Sequence, residues 1–125
     1  MHKRDWHILI VEDIDDDVQV VSQILEHYGI TTSVARDGNQ CLEMVQHMEP
    51  TLVIMDLAMP VKDGWDTLFE LRANPLTAHI PVVAITAYHS AEVARKTIEA
   101  GFDAYYPKPI NPSTIIENLT AVVDS

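Results

Sequence analysis

The chain has 125 residues and carries 19 Asp and Glu against 8 Lys and Arg, a formal net charge of −11. That length suits one domain, since a chain of roughly 100–150 residues buries about 65% of its unfolded surface. The 47% hydrophobic and 22% charged content excludes a disordered chain. A single cysteine excludes an internal disulfide and a Cys-rich zinc site. Acidity without a Lys/Arg cluster argues against nucleic-acid binding by phosphate neutralisation and against docking on anionic lipid. There is no apolar run near 18 residues, and Met1-His2-Lys3-Arg4-Asp5 leads into a strand without a signal-peptide core, so the expected setting is the cytoplasm.

Short dense apolar runs alternate with longer amphipathic stretches. His7–Val11 is the first run. Val18, Val21, Leu25 and Tyr28 then recur at helical spacing, with Gly29 as the stop. Ser33–Ala35 is a weaker strand, expected near an edge. Cys41, Met44, Val45 and Met48 form a second helical stripe between the Asp37-Gly38 turn and Pro50. Thr51–Met55 is a continuous run, as suits a strand buried on both faces. Trp65, Leu68, Leu71 and Arg72 predict a third helix ending before Asn74-Pro75. The run Pro81–Thr86 follows, and then Ala91, Ala94, Ile98 and Phe102 predict a helix broken at Gly101. Ala104–Tyr106 is the last strand. Ile115, Ile116, Leu119, Val122 and Val123 predict a fifth helix, with Asn111 as N-cap and Pro112 as first helical residue.

Five strand–helix units in one undivided chain imply right-handed crossovers and an α/β doubly wound parallel sheet. In such sheets the functional crevice lies at the carboxyl ends of the strands, near the topological switch point. Those ends carry Glu12-Asp13, Asp56, Thr86 and, just past the fifth strand, Lys108. Three carboxylates in one crevice repel unless a cation joins them. Oxygen ligands of this kind suit Mg²⁺, and one Mg²⁺ with Lys108 brings the local charge to zero. Phosphorylating a carboxylate would leave the site mildly negative, with a hydroxyl and backbone N–H groups to stabilise the new oxygens. The constellation therefore fits phosphoryl transfer to a carboxylate. Charge counting does not say which carboxylate accepts the group.

Four motifs carry a resemblance: Ile8-Leu9-Ile10-Val11-Glu12-Asp13, Asp56-Leu57-Ala58-Met59-Pro60-Val61-Lys62-Asp63-Gly64, Ala84-Ile85-Thr86-Ala87 and Lys108-Pro109. At these spacings the chain closely resembles the receiver domain of two-component response regulators, from about Trp6 to Val123. The resemblance implies a flavodoxin-like (βα)5 fold with strand order 2-1-3-4-5. It implies Asp56 as phosphoacceptor, taking its group from a sensor histidine kinase or a histidine phosphotransfer protein. Asp13, Asp56 and the backbone carbonyl of Ala58 would hold Mg²⁺, with Mn²⁺ a possible substitute, and Glu12 would act through a water. Thr86 would donate its hydroxyl to a phosphoryl oxygen and Lys108 would pair with the phosphoryl group. Tyr105 stands at the family's switch-aromatic position, and the Lys108-Pro109 bond is expected to be cis.

Beside these, Asp15, Asp16 and Asp17 read as helix-start residues that cap amides and complement the dipole. Asp63 reads as an N-cap, Cys41 as a small core residue, and the six histidines as surface or local packing. Neither Ala58 nor Tyr88, each two residues past a site residue, can orient an attacking water, which predicts slow self-dephosphorylation. With no output domain after Ser125, residues 1–125 are expected to act as one receiver domain. Its signal would leave for an unknown downstream protein through the fourth helix, fifth strand and fifth helix, a face that could also form a homodimer. Two other functions compete. An Mg²⁺-dependent Asp-nucleophile phosphatase would need an acid/base at Ala58. A binding-only module would not need Asp56, Thr86 and Lys108 intact.

Overall fold

The three densest apolar runs form strands buried on both faces. The structure, a computed structural model, describes residues 5–125; the Met1–Arg4 segment lies outside the described residues. The order is β1 (His7–Val11), α1 (Asp15–His27), β2 (Thr31–Ala35), α2 (Gly38–Met44), β3 (Leu52–Asp56), α3 (Gly64–Ala73), β4 (Val82–Thr86), α4 (Ala91–Ala100), β5 (Ala104–Pro107) and α5 (Ile115–Val123). All neighbouring strands are parallel, in the order β2-β1-β3-β4-β5. This is the expected doubly wound sheet, with β2 at an edge. No helix of the described residues is long and apolar enough to cross a membrane.

Alternation along the strands divides the core into two layers. Ile8 and Ile10 of β1, Ile54 of β3 and Val83 and Ile85 of β4 pack with Val21 and Leu25 of α1 and with Ile115 and Leu119 of α5. Leu9, Val11, Val53, Met55, Val82 and Ala84 point the other way, onto Cys41 of α2, Leu68 and Leu71 of α3, and Phe102. Of α4 only Thr97 is buried, so this helix is the most lightly held of the five.

Local chemistry sets the helix starts. Asp37, Asp63 and Ser90 each accept an N–H from the first turn of α2, α3 and α4, and Asp63 is thereby the N-cap expected. Gly101 ends α4 in the left-handed region, at φ 108°. The start of α5 differs from expectation. Asn111 caps a separate turn, accepting the Ser113 N–H on its side chain at 2.9 Å, and the helix begins at Ile115 with no side-chain cap. Asn111 still accepts the Ile115 N–H on its carbonyl, so the capping chemistry is present one turn early.

Parallel register places the functional residues. Val11 pairs with Met55, so Glu12 stands level with Asp56, and Asp56 pairs with Ile85, one residue before Thr86. Thr86 pairs with Pro107, one residue before Lys108. The ladder runs on past the strand ends through Glu12 N–H to Ala35 O (3.0 Å), Leu57 N–H to Ile85 O (3.1 Å) and Lys108 N–H to Thr86 O (2.9 Å). Gly64 lets α3 start against β3, because a Cβ there would lie 2.4 Å from the Asp56 carbonyl oxygen. The Lys108-Pro109 peptide bond is cis.

Candidate phosphoryl and metal site

Glu12 leaves the end of β1 with its side chain fully buried. Its Oε1 accepts the N–H of Asp13 at 3.1 Å and of Ile14 at 3.2 Å. Its Oε2 lies 2.6 Å from Lys108 Nζ. Asp56, at the end of β3 and 3% exposed, accepts the Ala58 N–H on Oδ1 at 3.3 Å and a Lys108 hydrogen bond on Oδ2 at 3.2 Å. Thr86 ends β4, where its buried Oγ1 accepts the Tyr88 N–H at 3.0 Å. Strand ends thus bring Glu12, Asp13, Asp56, Thr86 and Lys108 together as the sequence implied.

Carboxylate oxygens of Glu12, Asp13 and Asp56 all lie within 4.8 Å of one another. Asp13 Oδ1 is buried without a hydrogen-bond partner. A buried acceptor left unpaired costs about 1–3 kcal/mol unless a cation or water meets it. The residues therefore fit an oxygen-ligated divalent cation, which takes carboxylates in a partly hydrated shell. Burial pushes the Glu12 carboxyl up to about 7, helped by Asp56 and opposed by Lys108. Burial works against the Lys108 ammonium, but Glu12, Asp17 and Asp56 outweigh it and hold its pKa above the ordinary lysine value.

One member of the site was missed. Asp17, read as a helix-start residue, places Oδ2 2.9 Å from Lys108 Nζ. The N-cap of α1 is Ile14, with no side-chain cap bond, so none of Asp15, Asp16 and Asp17 caps the helix, although all three lie in its first turn. Asp15 instead pairs with Arg36 at 2.5 Å. The signal for Asp17 was its place one helical turn after Asp13, which brings its side chain back over the cleft. It adds a fourth carboxylate, so Mg²⁺ and Lys108 leave the site one charge negative rather than neutral.

Tyr105 packs against the α2–α3 layer, and its hydroxyl is buried with no hydrogen-bond partner. Beside the cleft lies an open hollow of about 560 Å³ whose lining includes Asp13, Ala58, Met59, Trp65, Thr86 and Tyr88. Cys41 is buried, and burial pushes its thiol up to about 12, which makes it the inert core residue expected.

Comparison with known proteins bears on the family and the fold. The chain is 35% identical over 127 residues to a peroxide stress-activated histidine kinase of Schizosaccharomyces pombe, covering 97% of this chain but only 8% of the kinase's length. It is 28% identical to the chemotaxis protein CheY of Halobacterium salinarum, over 93% of this chain and 95% of that protein. The receiver domain of a sensor histidine kinase from Pseudomonas aeruginosa, solved with a magnesium ion coordinated in its active-site cleft, superposes with a TM-score of 0.87. That pair is 26% identical, over 96% of this chain and 98% of that one. The model of the response regulator receiver domain matches residues 8–120, and the chain belongs to that family of two-component signalling modules.

Proposed function

We propose that the chain is a phosphorylation-dependent switch in which Asp56 is the phosphoacceptor. A carboxylate oxygen of Asp56 attacks the phosphorus of a phosphohistidine on a sensor histidine kinase or histidine phosphotransfer protein. The P–N bond breaks and the imidazole leaves with its electron pair. Asp13, Asp56 and the Ala58 carbonyl would hold Mg²⁺ or Mn²⁺, with Glu12 acting through a water. The ion when bound supplies positive charge to the phosphoryl oxygens. Lys108 pairs with the phosphoryl group. Thr86 donates its hydroxyl proton, since a hydroxyl that accepts from Tyr88 N–H still has a proton to give.

The observation that carries this reading is the Lys108 ammonium, 3.2 Å from Asp56 Oδ2 and pulled into a cleft with an unpaired Asp13 oxygen. As the phosphoryl group draws on Thr86, the β4–α4 turn that Thr86 closes is loosened. Tyr105 follows as switch aromatic, and the surface of α4, β5 and α5 changes its affinity for a downstream protein or a second copy. The light burial of α4 supports this choice of face. The unit acts in the cytoplasm as one receiver domain over residues 1–125, core about 6–123, and catalyses only its own phosphotransfer and slow dephosphorylation.

Incubation with Mg²⁺ and acetyl phosphate tests the reading by intact mass. A shift of one phosphoryl group that Asp56→Asn abolishes is the expected result. No shift in the wild type favours a binding-only module and overturns the proposal. Steady phosphate release from many substrates favours a phosphatase and overturns it equally.

A further inference from the structure

The contacts of Lys108 point to a role for a residue that sequence reasoning assigned to helix capping. Its ammonium lies within 2.6 Å of Glu12, 2.9 Å of Asp17 and 3.2 Å of Asp56. The lysine side chain is 12% exposed, so water offers few replacement partners. A phosphoryl oxygen arriving at Asp56 needs part of this ammonium, and one carboxylate must yield. Glu12 cannot yield cheaply, being fully buried and fixed by two backbone N–H groups. Asp56 is the reacting residue itself, held by β3. Asp17 is 36% exposed, and its bond to Lys108 joins elements 91 residues apart. Water can take over its carboxylate when the ammonium leaves.

We propose that Asp17 is a positioning residue that holds Lys108 toward α1 and competes with the phosphoryl group for it. Asp17 thereby lowers the affinity of the site for a phosphoryl group and ties the first turn of α1 to the state of Asp56. This rests on Asp56 being the phosphoacceptor.

The test is titration with beryllofluoride, a phosphoryl mimic, at saturating Mg²⁺ and two ionic strengths. Asp17→Asn should bind about two- to five-fold more tightly than wild type at low salt, the size of one partly exposed ion pair. The gain should shrink at high salt, and Asp17→Ser should reproduce it. Asp16→Asn removes the same charge from the same turn without touching Lys108, and should stay within error of wild type. Unchanged or weaker binding by both Asp17 variants overturns the proposal, as does an equal gain in Asp16→Asn. Failure of the wild type to bind at all overturns the phosphoacceptor reading itself. Wild-type binding that both Asp17 variants leave unchanged overturns only the role of Asp17.

Discussion

Thr86 Oγ1 accepts the Tyr88 backbone N–H at 3.0 Å and Thr86 lines the same hollow as Asp13, so one buried residue both closes the β4–α4 turn and borders the site. Removing it should be felt at two places. Thr86→Ala should weaken beryllofluoride binding by about ten-fold or more, the cost of one hydrogen bond to a charged group. It should also speed hydrogen exchange at the Tyr88 amide, whereas Thr86→Ser should restore both. An Ala variant that keeps wild-type binding and exchange would remove Thr86 from the mechanism.

The acyl phosphate should decay slowly. Ala58 has no polar side-chain group to orient water, and Tyr88, 79% exposed, stands on the lining of the open hollow beside the site. Ala58→Asn combined with Tyr88→Glu should raise the rate of phosphate loss by up to about a hundred-fold, the low end of the usual range for a positioned acid or base. Decay followed by intact mass decides it, and an unchanged rate sinks the idea.

Val61 adopts φ 68°, in the left-handed region, while the residue is 79% exposed. A β-branched residue there costs roughly 1–2 kcal/mol with little packing in return. Val61→Asn, which tolerates that conformation, should stabilise the fold by about 1 kcal/mol. For a domain of this size that is a rise in Tm of about 2–6 °C. A lowered Tm would show that the side chain is needed where it stands.

The sequence made the frame legible because the three central strands are buried on both faces and so read as continuous apolar runs. Runs such as Val82–Ile85 cannot be surface. Asp56, Thr86 and Lys108 were legible because strand ends are fixed by the same register that fixes the core. Asp17 and the start of α5 were not. Three consecutive aspartates at a helix start satisfy the dipole in any arrangement, and the place of the third, four residues after Asp13, singles it out only once Lys108, just past β5, is seen to reach it. Asn111-Pro112 carries a sound capping signal, but the chain spends it on an isolated turn before Ile115. Val61 left no trace because valine is a poor choice for its backbone.

The Glu12 carboxyl sets a pH dependence whose direction depends on the cation. In the metal-free protein its pKa rises from the ordinary 4.5 to about 7, chiefly through burial, with Asp56 adding and Lys108 opposing. Between those values the folded chain keeps a proton that the unfolded chain has released, so raising the pH favours unfolding. In EDTA, Tm should therefore fall as pH goes from about 4.5 to 7 and level off above. Glu12→Gln, with no proton to lose, should flatten that slope. Saturating Mg²⁺ favours the ionised carboxylates and should restore stability most at the upper end of the window, where Glu12 has ionised. Thermal melts at several pH values, with EDTA or Mg²⁺, read all three. A Tm in EDTA that climbs over this range in the wild type would show that Glu12 enters the fold already ionised, held by Lys108 against its burial.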